Sequence, residues 1–286
     1  MTATLNSDMG EGLGLHSFGN DEALLDLVDV INLACGFHAG DPDVMDATVA
    51  AAVGHDVRIG AHPGLPDLTG FGRRRMVLTA EEVESIMLYQ VGALTAFLTK
   101  HGAALNHVKP HGALYGMLAG DPELMAGAAR VAKLYGVPFF GIPGSAHETV
   151  CAELGVDFVA ELYVDLDCDG DGNLIILRRP ARTDPSAAAD RVSRALAGKP
   201  VLAVDGTELD LRFDSVCVHS DAPNSPGRGR GRPRRARPST LRKAGPCPTS
   251  SPRSRASSTP GPGPTRNRSC SPATTSRPAP RSASSR

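Results

Sequence analysis

The sequence predicts an α/β fold, either a β/α barrel or a doubly wound sheet, over residues 1–224 of the 286. Three observations predict it. Short apolar runs alternate with helical patterns about seven times, the order expected of parallel strands joined by crossover helices. The runs end in polar residues set among glycines, as do the loops that carry chemistry at the carboxyl ends of parallel strands. Four of the nine histidines, His38, His62, His111 and His219, stand at or just beyond run ends instead of scattering over helix faces. On a closed barrel these ends meet at one rim, so the pattern predicts a single polar pocket.

Ala3 to Asn6 reads as the first strand and Ser7-Asp-Met-Gly-Glu-Gly-Leu-Gly14 as a loop carrying Asp8 and Glu11. That loop lacks the Lys-Ser/Thr of a P-loop and the full dinucleotide spacing, so its glycines are weak evidence for phosphate. A helix opens at Asn20 with acidic residues in its first turn, favourable to the helix dipole. Leu27 to Ile31 reads as the second strand. It leads into Asn32-Leu-Ala-Cys-Gly-Phe-His-Ala-Gly-Asp-Pro42, the stretch around which the chain is arranged. Asp41-Pro42 reads as an N-cap followed by proline at the first helical position, which projects His38 over a helix entrance. Alone, such a histidine is as readily a capping or packing residue; its recurrence gives it weight. Cys35 is open to reading as a nucleophile, but a small apolar side chain filling a strand end is the commoner case.

An alanine-rich helix from Asp43 to His55 is followed by a third strand, Val57 to Ala61, ending on His62. The long loop behind it holds Asp67 and Arg73, Arg74 and Arg75, a solvated face or a grip on phosphate or carboxylate. Thr79 and Glu82 form a capping box for a helix running to about His101. Leu105 to Tyr115 contains a fourth strand presenting Lys109 and His111. Another helix, Asp121 to Tyr135, precedes a fifth strand, Val137 to Ile142, and His147 falls in the next helical stretch as a structural residue. Asp157 to Glu161 reads as a sixth strand ending on a carboxylate. Asp167-Cys-Asp-Gly-Asp-Gly172 resembles half a calcium loop, but Arg178 stands where the closing glutamate belongs, so a hairpin turn is expected. A helix from Asp184 to Ala197 and a last strand, Ser215 to His219, complete the pattern.

Net charge divides the chain. From Ser225 onward there is no Asp or Glu and there are 15 of the 30 Lys and Arg, so residues 1–224 carry 15 basic against 31 acidic groups, a balance of −16. Residues 225–286, rich in Arg, Pro and Ser without apolar periodicity, are expected to be a disordered tail. Its composition is that of a GC-rich gene read out of frame, beginning where a barrel's last helix should start, and this reading is preferred to a nucleic-acid-binding arm. Scattered Cys35, Cys151, Cys168 and Cys217 suit a reducing compartment. No signal peptide and no apolar run near about 18 residues is present, so the expectation is a cytoplasmic chain with no membrane partner and no specific nucleic acid.

The segments Leu5-Asn-Ser-Asp-Met-Gly-Glu-Gly, Asn32 to Pro42, Gly60-Ala-His-Pro, Gly70-Phe-Gly-Arg, His107-Val-Lys-Pro-His-Gly-Ala-Leu-Tyr and Cys217-Val-His-Ser-Asp stand in this order. Together they resemble the LamB/YcsF family, the A component of the prokaryotic three-part 5-oxoprolinase. Two positions depart from the family pattern: Val164-Asp-Leu where Ala-Asp-Arg is usual, and Ser220 where Gly is usual. The resemblance implies a distorted seven-stranded parallel β/α barrel of the glycoside hydrolase/deacetylase type. It also implies ATP-dependent cleavage of 5-oxo-L-proline to L-glutamate, with ATP as co-substrate and B and C subunits as partners. Asp8, His38, His62, Lys109 and His111 are then the catalytic candidates, with His38 or His62 as general base and His111 protonating the ring nitrogen. Asn6, Glu11, Asn32, Asp41, Arg73, Glu161 and His219 are the candidate substrate or nucleotide contacts, Lys109 and Arg73 offsetting phosphoryl charge. Asp8, His38, His62 and His219 are alternative ligands for a divalent metal, Mg²⁺, Mn²⁺ or Zn²⁺. Two other classes remain open: a metal-dependent deacetylase or amidase that uses no ATP, and a non-catalytic binding subunit.

Overall fold

The computed structural model describes residues 3–17, 19–172, 174–175 and 184–220. Its strands are β1 (Thr4–Met9), β2 (Val30–Ala34), β3 (Arg58–His62), β4 (Leu105–Val108), β5 (Phe139–Gly141), β6 (Phe158–Tyr163), β7 (Asp167–Cys168), β8 (Leu174–Ile175), β9 (Val201–Leu202), β10 (Glu208–Leu209) and β11 (Ser215–Cys217). Seven of them close a parallel barrel in the order β1-β11-β6-β5-β4-β3-β2. The ring is distorted on one side, where the β3–β4 register slips between Ile59 and Ala61 and β4 meets β5 through Val108 and Phe139. The seven-stranded β/α barrel is therefore the fold, and the doubly wound sheet is set aside.

Helices α1 (Asp21–Leu25), α2 (Pro42–Gly54), α3 (Ala80–Lys100), α4 (Gly112–Gly120), α5 (Pro122–Tyr135), α6 (Ala146–Leu154) and α7 (Pro185–Leu196) follow the strands. Local chemistry starts them where the sequence says. Asp41 accepts the amides of Asp43 and Val44 at the head of α2, and Thr79 and Glu82 close a reciprocal capping box on α3. These contacts satisfy backbone donors that an open helix end would leave bare.

Alternation along the strands divides the barrel into two chemistries. Leu5, Met9, Ile31, Leu33, Ile59 and Val108 join the apolar core, while Asn6, Asp8, Asn32, His62 and His107 hydrogen-bond or ion-pair with one another or with groups of other barrel strands. Side chains of a strand point alternately to its two faces, so one face builds the fold and the other the site. Among the apolar side chains, Leu114, Met125, Val131, Met87 and Leu94 from the helices are buried in the same core as the strands' outer face.

Several expectations shift. β1 extends through Met9, so Asp8 lies on the strand and not in the loop. Residues 112–120, of which 112–115 were read with the fourth-strand segment and none as helix, form α4; its three glycines and the absence of a capping side chain at His111 hide the helix from propensity. Strands β9 and β10 form an antiparallel hairpin that the apolar pattern did not announce. The acidic run at Asp167 is a hairpin as expected, β7 pairing antiparallel with β8. The tail expected at 225–286, the frame-shift reading and the question of a last helix all lie outside the described residues. Among the described residues no helix is long and apolar enough to cross a membrane.

Candidate active site

The rim at the carboxyl ends of the strands is a dense polar cluster. His62 ends β3, and its Nδ1–H donates to the carbonyl of Lys109 at 2.7 Å. His111, just past β4, donates Nε2–H to the carbonyl of Phe71 at 2.9 Å. The other nitrogens of these rings face each other, His111 Nδ1 and His62 Nε2 being 3.0 Å apart. His38 stacks on His111 with centroids 3.7 Å apart and planes within 3°, and its Nε2 lies 3.3 Å from Glu11 Oε1. Burial holds both His38 and His111 well below the usual imidazole range, so these rings are neutral.

Lys109 is buried beneath them. Its Nζ reaches Asp8 at 3.1 Å, Glu161 at 3.2 Å and the Cys217 sulfur at 3.1 Å. Burial opposes its charge, yet the Asp8 carboxylate leads the groups that keep it protonated. Asp8 is likewise pushed up by burial and pulled further down by His62, Lys109 and His219. Glu161 accepts the hydroxyls of Tyr115 and Tyr163 at 3.2 and 2.8 Å. Deeper still, His107 donates to Asn32 Oδ1 at 2.6 Å, and Asn32 donates to Asp8 and Asn6 at 2.7 and 2.8 Å.

His219 differs from the other rings. Asp165 accepts both its backbone amide, at 2.8 Å, and its Nδ1–H, at 2.9 Å. Burial favours the neutral ring, but Asp165 overrides it and raises the imidazole to about 9. The Nε2–H of this imidazolium points toward Asp8, 3.5 Å from Oδ2, and the ring keeps 18 % of its surface exposed. It is a cation with a proton to give at neutral pH.

The structure thus brings Asp8, Glu11, His38, His62, Lys109, His111, Glu161 and His219 to one mouth, with Asn6 and Asn32 below. Asp41 is not among them: besides capping α2 it accepts the amide of Gly14 at 2.7 Å, tying two rim loops together. The three arginines divide. Arg74 pairs with Asp67, Arg75 is exposed, and Arg73 lies 5.0 Å over the Phe71 ring, close enough to His38 and His111 to help keep them neutral. The expected metal set is regrouped: His38 and His62 join Glu11 and His111, whereas Asp8 and His219 join Cys217. The reason is the barrel's curvature, which sets His219 on β11's side of Asp8, away from His38. Sequence reasoning assigned no role to His107, Tyr115, Tyr163 or Cys217; the alternate-residue spacing of His107 with Lys109, Glu161 with Tyr163 and Cys217 with His219 is the signal that marks them. Cys35 is buried and its thiol is pushed up to about 12 by that burial, as befits a packing residue. His147 is structural too, its Nδ1 accepting the Ile142 amide and its Nε2–H donating to the Tyr115 carbonyl.

With this geometry in view, similarity to known proteins decides the family. The LamB/YcsF family model matches residues 3–228. The chain belongs to the LamB/YcsF family. A lactam utilization protein from Emericella nidulans is 46% identical over 225 residues, covering 77% of this chain and 88% of that one. The A component of a 5-oxoprolinase from Pseudomonas aeruginosa is 47% identical over 227 residues, 77% of this chain and 89% of its own. The crystal structure of a lactam utilization protein from Thermus thermophilus superposes with a TM-score of 0.75 at 41% identity, covering 81% of this chain and 94% of that one.

Proposed function

We propose that this LamB/YcsF chain is the A component of a cytoplasmic, ATP-dependent 5-oxoprolinase, opening the lactam of 5-oxo-L-proline to L-glutamate with B and C subunits as partners. The observation that carries the reading is the pairing, at one mouth, of an imidazolium held by Asp165 with neutral histidines. Opening a lactam needs both a proton acceptor for water and a proton donor for a poor leaving amine. The names of the relatives supply the substrate.

Phosphoryl transfer from ATP to the amide oxygen releases ADP and makes the ring carbon electrophilic; water adds there, the ring C–N bond breaks as nitrogen takes a proton, and the acyl phosphate so formed loses phosphate to a second water to leave glutamate. His62 is the base candidate: its Nδ1 is turned to Lys109 O, which directs Nε2 into the site, 3.3 Å from Asp8 Oδ2. The donor role expected of His111 passes in this reading to His219. The one proton of the neutral His111 ring is committed to Phe71, whereas His219 carries a spare one toward the mouth. Arg73, rather than the internally neutralised Lys109, is the cation that meets a phosphoryl group in this reading.

A second reading, a metal-dependent amidase or deacetylase acting without ATP, is favoured by the clustering of Glu11, His38, His62 and His111. Mg²⁺, Mn²⁺ or Zn²⁺ held there would supply Lewis acidity to a carbonyl. The two readings part in one assay: ADP release driven by 5-oxoproline, from this chain alone and with its co-expressed partners. Coupled ADP and glutamate formation with partners present, lost at least about 100-fold in His219→Gln, is expected. Glutamate formed without ATP would favour the second reading, and no turnover of 5-oxoproline in any combination would overturn the first.

A further inference from the structure

The rings of His62 and His111 meet where two carboxylates also stand, Asp8 Oδ2 3.3 Å from His62 Nε2 and Glu11 Oε1 3.5 Å from His111 Nδ1. Each spends its ring N–H on a backbone carbonyl, His62 on Lys109 and His111 on Phe71. Their other nitrogens, His111 Nδ1 and His62 Nε2, are turned to one point, 3.0 Å apart. A cation fits at that point among buried donors, and the outer hydrogen bonds of both rings to carbonyls are the arrangement by which metal-binding histidines are held in tautomer and direction.

We propose that Glu11, His62 and His111 form a binding site for one divalent transition metal ion, with Zn²⁺ the best match, through Glu11 Oε1, His62 Nε2 and His111 Nδ1. Spacing supports it. Bonds of about 2.0–2.1 Å in tetrahedral geometry separate neighbouring ligand atoms by roughly 3.3 Å; His111 Nδ1 lies 3.0 Å from His62 and 3.5 Å from Glu11 Oε1. Two histidines and one carboxylate leave the ion an open position, as catalytic zinc sites do.

His38 stands behind this site and does not bind the ion. If its Nε2 bound the ion, Nδ1 would carry the proton, and Nδ1 is buried with no hydrogen-bond partner among the described residues. A buried orphan donor is costly. With the proton on Nε2, His38 instead donates to Glu11 and orients it. The other grouping, Asp8, Cys217 and His219, is already served by a cation, since the Lys109 ammonium contacts both Asp8 and Cys217 and His219 is itself protonated.

The site rests on the metal-dependent reading, since an ion on His62 Nε2 takes that ring from the base role, and it is tested apart from turnover, because metal binding is measured without substrate, nucleotide or partner. The full chain is stripped with chelator and titrated with Co²⁺ and with Zn²⁺ by calorimetry and visible absorption. One equivalent is expected, with the Co²⁺ spectrum of low coordination number and no thiolate charge-transfer band. Glu11→Gln and His111→Gln should each weaken binding by more than about 100-fold, beyond the roughly 10–100-fold of residues that only support a metal ligand, while Cys217→Ser leaves it intact. In the unmutated chain, ¹⁵N spectra should show Zn²⁺ shifting one histidine through Nε2 and one through Nδ1. That measurement stands even if a variant fails to fold. Absence of binding by the unmutated chain, a thiolate band lost in Cys217→Ser, or affinity unchanged in both ligand variants would each overturn the assignment.

Discussion

Asp165 shows how much one carboxylate can decide. It grips His219 at two points and keeps the ring charged, with an imidazole near 9 in place of about 6.5. Because the folded state binds this proton more tightly than the unfolded chain, the pair adds stability that is complete below pH about 6.5 and is lost as pH rises through about 9. Asp165→Asn should bring the His219 midpoint down by about one unit or more, read by NMR titration, and flatten the fall in stability across that window. Gly60 is a second such position. A methyl group there would enter the ring of His107, which holds Asn32 in place. Gly60→Ala is expected to cost about 1–3 kcal/mol in urea unfolding and to weaken the Asn32 contact with Asp8. Neither effect is legible beforehand: Asp165 and His219 are far apart in the chain, and Gly60 reads as an ordinary strand-end glycine.

Among the elements, those with local chemistry were legible. Asp41 with Pro42 marked the start of α2, and Thr79 with Glu82 the start of α3, because caps act within one turn. Thr79→Ala should lower stability by about 1 kcal/mol, measured by thermal melting. Helix α4 was hidden, since its glycines and uncapped start speak against a helix; burial of Leu114, Tyr115, Met117 and Leu118 is what holds it. Tertiary packing also explains Gly127 on α5. A side chain there would collide with the backbone carbonyl of Ala80 at the head of α3. Gly127→Ala, which on helix propensity alone should stabilise by about 1 kcal/mol, is instead expected to destabilise by about 1–3 kcal/mol, a reversal of sign that a denaturation curve reads directly.

For the whole molecule the decisive feature is a barrel whose inside is polar. Lys109 sits inside it, neutralising Asp8 of β1 and Glu161 of β6, the two strands that flank β11. Removing one partner of a buried ion pair strands the others, so Lys109→Met should cost about 3–5 kcal/mol. Asp8 would then lose an ammonium that helps hold it down against burial, and mild acid, by protonating it, should restore part of the loss. The unmutated chain should respond in the opposite sense. With Asp8 held below its ordinary value, its contribution is present above the unfolded carboxylate range and is lost as pH falls through the folded value. Urea midpoints of both chains followed from pH about 7 down to well below about 3.9, the ordinary aspartate value, separate the two behaviours.

Sequence alone determined the alternation of strands and helices, the caps that start the helices, and the polar residues at each strand end, because these follow from neighbours within a few positions. It could not say which of those residues meet. That Glu11 meets His38 and His111 while Asp8 meets His62, Lys109 and His219, that His219 carries charge while His111 does not, and that Asp41 serves a helix and not the pocket all depend on barrel curvature and on hydrogen bonds between distant strands. Proximity of that kind is created only when the ring closes.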